Sequence, residues 1–155
     1  MARPDSMHNR IEDAIVTLLG SIDNVSDANS WLTKPKVVAR GFTFGAWNGA
    51  ATPALFVETA DWDMEDRGVN HVQKVRVVVW CLTDASATGL DLLNKLEADV
   101  MYAVLKSPNE YLSGLVRRLK VLRGEPEYER RSVAGKAISA VVLEAEYAHD
   151  HTAVT

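Results

Sequence analysis

Apolar residues recur along this chain at two spacings, and the clearest stretch runs from Gln73 to Lys106. Val75, Val77, Val79 and Cys81 alternate with Lys74, Arg76, Val78, Trp80 and Leu82. A period of two predicts a strand over Val75–Leu82. Its first face is wholly apolar and belongs under helices; its second is charged at the start and apolar at the end. After a short polar turn the period changes. Leu92, Leu93, Leu96, Val100, Ala103 and Val104 form a helical stripe over Leu90–Lys106, with Asp91, Asn94, Lys95 and Asp99 assigned to the wet side. Thr88 followed by Asp91 resembles a capping box, and Ser107-Pro108 stops the helix.

Weaker patterns surround this pair. Ser6 suits a helix N-cap, and Met7, Ile11, Ala14, Ile15, Leu18 and Leu19 follow at helical spacing up to Gly20, which suits a left-handed helix end. Lys36–Arg40 and Ala54–Thr59 are short strand candidates, the second starting after Pro53. Leu115–Arg123 and Lys136–Tyr147 read as two further strands joined by a polar hairpin tip over Gly124–Gly135. In an antiparallel pair, Arg118 and Lys120 share a face with Glu144 and Glu146. Strands joined by hairpins, with helices segregated to one side, predict an α+β fold: a mostly antiparallel sheet of about four to five strands with two main helices packed on one face. At 155 residues the chain is the length of one domain, and the tail from His149 to Thr155 is expected to fray.

Two segments are less regular. Gly41–Gly49 packs three glycines around Phe42, Phe44 and Trp47. It reads either as a hairpin whose aromatics cap the core or as a loop that buries them in a partner. Asp61–Gly68 alternates carboxylates with Trp62 and Met64. It lacks the glycine and glutamate of a calcium loop, having Asp66 and Val72 at those places, so it reads as a solvated acidic loop. Its two large apolar side chains point to contact with another surface.

Candidate chemistry is sparse. No GxSxG, HExxH or P-loop pattern occurs. Cys81 is the single cysteine and alternates onto the apolar face, as a small hydrophobe does. His149-Asp150-His151 would offer a metal only two imidazoles. The expectation is therefore no enzyme, no cofactor and no metal. The net charge of −4 weighs against a nucleic-acid binder. The N-terminus has no apolar signal core, and no apolar run approaches the ~20 residues of a membrane span.

The strand Val72-Gln73-Lys74-Val75-Arg76-Val77-Val78-Val79-Trp80-Cys81 and the helix Asp91-Leu92-Leu93-Asn94-Lys95-Leu96-Glu97-Ala98-Asp99-Val100 precede a closing strand, Val141-Val142-Leu143-Glu144-Ala145-Glu146-Tyr147. Together they resemble the tail terminator and tail-completion (neck) proteins of tailed bacteriophages. The resemblance covers about the second half of the chain and rests on shape and hydrophobicity, with no catalytic signature. It implies a structural virion protein assembled in the host cytoplasm. Such a subunit forms a ring, usually hexameric, that caps the head-proximal end of the tail tube. The ring stops tube polymerisation and meets the tail tube protein and the head–neck connector proteins. DNA passes through it without sequence-specific binding. The expected contacts are Phe42, Phe44 and Trp47 in the first segment, Trp62, Met64 and Arg67 in the second, and Arg76, Trp80 and Leu82 on the second face of the strand. That face reads equally as surface covered by the chain's own loops. The alternatives are another neck or tube component, or a small cytoplasmic α+β binding domain or enzyme.

Overall fold

A hydroxyl starts the first helix. Ser6 Oγ accepts a hydrogen bond from the Asn9 amide (3.1 Å), and α1 runs Met7–Leu19 with Ile11, Ile15 and Leu19 buried. Gly20 does not take the expected left-handed conformation; its φ is −64° and ψ −15°. The chain winds on for one more turn, with the Ser21 and Ile22 amides bonded to Leu18 and Leu19, and this buries Ile22. The structure is a computed structural model and describes residues 6–41, 49–67, 70–106, 108–122, 131–133 and 135–150.

Among the described residues, six strands form one sheet: β1 (Val37–Arg40), β2 (Ala54–Arg67), β3 (Asn70–Asp84), β4 (Arg118–Leu122), β5 (Arg131–Val133) and β6 (Lys136–Asp150). Their order is β1-β2-β3-β6-β4, with β5 paired to the start of β6. The β1–β2 pair is parallel and the others are antiparallel. The α+β class and the helices packed against the sheet are as the sequence predicts. The extra strand, β5, lies in the stretch read as a hairpin tip; three residues are too few to display a period. β6 also runs past Tyr147 to Asp150, so His149 and Asp150 belong to the sheet and not to a frayed tail.

The second helix, α2 (Ala87–Leu105), starts before the expected Leu90, and its cap is Ser86 rather than Thr88. Ser86 Oγ accepts from the Gly89 amide at 3.0 Å. Gly89 explains the early start. A Cβ there would sit 1.8 Å from the Asp84 carbonyl oxygen, so only glycine lets the first turn lie this close to the end of β3. Thr83 Oγ1 then donates to the Gly89 carbonyl across the same contact (2.7 Å). Asp91, freed from capping, pairs with Lys95 one turn on (3.0 Å).

The main core lies between the helices and one face of the sheet. Val75, Val77, Val79 and Cys81 meet Leu93, Leu96 and Val100 of α2, while Ile11 and Ile15 of α1 cover Leu55 and Val57. Each large side chain buried here contributes roughly 1.5–3 kcal/mol. After α2, a 3-10 turn over Asn109–Gly114 precedes β4, which begins three residues later than the expected Leu115. Leu112, Ser113 and Gly114 all have positive φ (45°, 58° and 88°), reversing the chain between α2 and the sheet.

Candidate functional site

The segment expected to be an acidic loop is strand. Asp61–Arg67 continues β2 and pairs with Asn70–Arg76 of β3, making a long arm beyond the main core. A bulge at Ala60 sets the direction of its side chains. Thr59 faces Val77, but the next pair is Asp61 with Arg76. One extra residue inverts the alternation. Before the bulge Leu55 and Val57 face the helices; after it Trp62 does, opposite Val75. Trp62 remains 56% exposed, with its ring 6.2 Å from that of His8 on α1.

A polar latch holds α1 beside this bulge. Glu12 Oε1 accepts the Thr59 amide (3.1 Å), and Oε2 accepts from Arg40 Nη2 (3.0 Å). Arg40 also donates to Asn9 Oδ1 (2.7 Å) and Asp13 Oδ1 (3.1 Å). Burial works against the Arg40 charge, but the hydrogen bond and negative field of Glu12, with Asp13, outweigh it and hold the guanidinium above its ordinary range.

The sheet face turned away from the helices has two halves. In the arm half, the register lines up Asp63, Lys74, Glu146 and Arg118 across β2, β3, β6 and β4, and Asp61, Arg76, Glu144 and Lys120 in the next row. Each row alternates in sign, so every charge has an opposite neighbour. Lys120 Nζ lies 3.2 Å from Glu144 and Arg76 Nε 3.8 Å from Asp61. Arg76 is thus a member of a neutralised row. In the other half, Ala54, Phe56, Leu82 and Ile138 form a second apolar cluster with Val37, Ala39, Ala50 and Trp80 packed on it. Leu82 is 0% exposed, which removes it from the candidate contacts between subunits. Trp80 is half-buried, and its indole donates to Glu58 Oε1 (2.8 Å). The reading of this half as surface covered by the chain itself is the one the burial supports.

Phe42, Phe44 and Trp47 lie outside the described residues. Met64 and Arg67 are placed by their backbone in β2, opposite Gln73 and Asn70. The structure therefore brings Trp62 and Arg76 onto one arm, on opposite faces, and separates both from Leu82.

Sequence reasoning missed two features at the far end of α1. The first is a groove of about 850 Å³ between α1 and the 3-10 turn, lined by Leu18, Trp31, Pro108, Tyr111 and Leu112 among others, with Lys106 at its rim. Trp31 meets Tyr102 edge-on (5.4 Å between centroids), and Lys106 Nζ sits 5.8 Å from the Tyr102 ring centre. The second is the buried carboxylate of Asp99, 2% exposed, on the core side of α2. It accepts from the amides of Leu32 (3.0 and 3.2 Å) and Thr33 (2.8 Å) and from Thr33 Oγ1 (2.5 Å). These bonds clamp the segment after α1 onto α2 and fix Trp31 in the groove wall. Within the same segment Asp23 and Asp27 accept turn hydrogen bonds, chiefly from Ser26 and Ser30, which hold both carboxyls below their ordinary range. Among the described residues, no three His, Cys, Asp or Glu side chains converge on a metal-sized site. Among those residues, no helix is long and apolar enough to cross a membrane.

No protein-family model matches the chain, and no curated protein matches it.

Proposed function

We propose that this protein is a structural, non-catalytic subunit that assembles into a ring and caps the head-proximal end of a bacteriophage tail tube, as tail terminator and tail-completion proteins do. The observation that carries the reading is an exposed apolar patch around the groove. Leu32, Tyr102, Leu105 and Tyr111 are 44–56% exposed. They follow, touch or adjoin the groove residues Trp31 and Lys106, or line the groove themselves. Exposed apolar side chains gathered in one place mark a surface that another protein covers. A ring subunit needs such a surface at every joint. In this reading the ring sits in the virion between the tail tube protein and the neck connectors, and DNA passes through without sequence-specific binding. The alternating rows Asp63–Arg118 and Asp61–Lys120 support a channel wall of low net charge, since an unneutralised basic wall would hold phosphate.

Light scattering after size exclusion, negative-stain imaging and addition of the protein to growing tail tubes test the reading together. Rings, and tubes stopped at a defined length, are expected. A monomer that neither assembles nor halts tube growth overturns it. The groove, whose volume is that of small-molecule sites, favours a second reading as a small binding domain. In that case the monomer would take up an apolar fluorescent probe and form no rings.

A further inference from the structure

In its arm half the sheet ends in two open strand edges of opposite sign. β1 follows β2 only as far as Arg40, opposite Val57, and the Glu12 carboxylate accepts from the Thr59 amide. Beyond the bulge, from Asp61 on, β2 has β3 as its single strand neighbour among the described residues, and β4 likewise has only β6. Each edge therefore carries backbone groups that a further strand can pair. On the face away from the helices the β2 edge presents Asp61 and Asp63, and the β4 edge Arg118 and Lys120. Inside the rows Arg76 stands between two carboxylates and Glu144 between two cations. At the ends Asp61 faces Arg76 alone and Lys120 faces Glu144 alone, each with an outer side left over. The carboxylates differ accordingly: the Glu144 side chain is 15% exposed and that of Asp61 64%. Two β2 edges, or two β4 edges, would set like charges against each other, whereas β2 against β4 brings opposite charges together.

We propose that the β2 edge of one copy adds to the β4 edge of the next, antiparallel, with Asp61 opposite Lys120 and Asp63 opposite Arg118. The occupant of each edge is a second copy of this chain, and the inference rests on the ring reading. Direction fits, because β2 and β6 run one way and β3 and β4 the other, so the new pair continues the antiparallel order. Register fits on both faces. The alignment that matches the charges also puts Trp62 opposite Leu119, on the helix side, near the partly buried Val121. An indole 56% exposed in the single chain thus gains an apolar neighbour from the next copy. A contact between two different edges is head-to-tail and closes into a ring when the rotation allows. The charge rows then run on from copy to copy with no break in their alternation. So short a pairing buries less than the ~1,000 Å² of a stable interface, so it sets the register within a larger contact.

Cross-linking of the full chain tests the register. Within one copy Asp63 and Arg118 are three strand spacings apart, about 14 Å, too far for a disulfide. Oxidised Asp63→Cys/Arg118→Cys therefore gives a ladder of covalent oligomers, in which the buried Cys81 takes no part. Asp61→Cys/Arg118→Cys, two residues out of register, gives at least about tenfold less. Sedimentation adds a second measure. Asp61→Asn/Asp63→Asn, at exposed side chains, keeps the parent circular-dichroism spectrum and self-associates about two- to thirtyfold more weakly. If rings form and the in-register cysteines give no more ladder than the out-of-register pair, the edge joint is overturned while the ring reading stands. If the parent stays monomeric at every concentration and neither cysteine pair gives a ladder, both fall.

Discussion

Asp99 is a carboxylate in a helix stripe that is otherwise apolar. Its spacing from Leu96 and Ala103 already places it on the buried side, yet its charge assigns it to solvent in a reading by polarity. Nothing in the sequence near it names its partners, because Leu32 and Thr33 lie 67 and 66 residues away. A buried acid needs donors, and here the backbone of a remote loop supplies them. Removing it leaves those donors buried and unpaired. Asp99→Ala should therefore cost about 2–4 kcal/mol and shift Trp31 fluorescence towards that of an exposed indole. Asp99→Asn keeps one accepting oxygen and should cost less. Equal stability for the alanine variant and the parent, measured in urea, would show that the clamp does not hold the segment.

At the scale of elements, legibility followed the strength of the period. α1, α2 and β3 were readable because their apolar positions repeat over many residues; alternation also put Lys120 and Glu144 on a shared face, while their pairing came from the register. The arm was not readable. Carboxylates in Asp61–Asp66 suggest a loop, whereas the ladder to β3 and the facing Lys74 and Arg76 make a strand of them. The bulge at Ala60 carries no side-chain signature, but it decides which way Trp62 points. Deleting Ala60 should remove the bulge and leave the pairs Thr59–Val77, Asp61–Arg76 and Trp62–Val75 in place, with Trp62 still on the helix side. Retention of the His8–Trp62 contact by nuclear Overhauser measurement, with the sheet retained, is the expected result. Loss of the contact would mean that the arm has slipped by one residue against β3. The groove was hidden for a different reason: three consecutive positive-φ residues, Leu112 to Gly114, shape its wall, and only the glycine among them announces such a conformation.

For the molecule as a whole, one apolar cluster draws on α1, α2, the 3-10 turn and the four strands β2, β3, β4 and β6. A shared core predicts shared melting. Leu96→Ala, at a fully buried site, should cost about 2–5 kcal/mol and lower a single cooperative transition seen alike by tryptophan fluorescence and circular dichroism. Separate transitions would show that α1 and its strands fold apart from α2 and its own. At this same scale the order of strand, helix and closing strand was legible, while the arm and the groove lie where the sequence pattern is least regular.

The place of β6 inside the sheet bears on how the chain comes off the ribosome. Every β3–β6 partner pair is at least 52 residues apart in sequence. Until Lys136–Asp150 has been synthesised, the valine-rich β3 is an edge with open backbone hydrogen-bonding groups. Such an edge pairs with whatever strand it meets first. Nascent chains halted before Lys136 should thus be prone to aggregate, and the yield of soluble protein should depend on how quickly those last strand residues are translated.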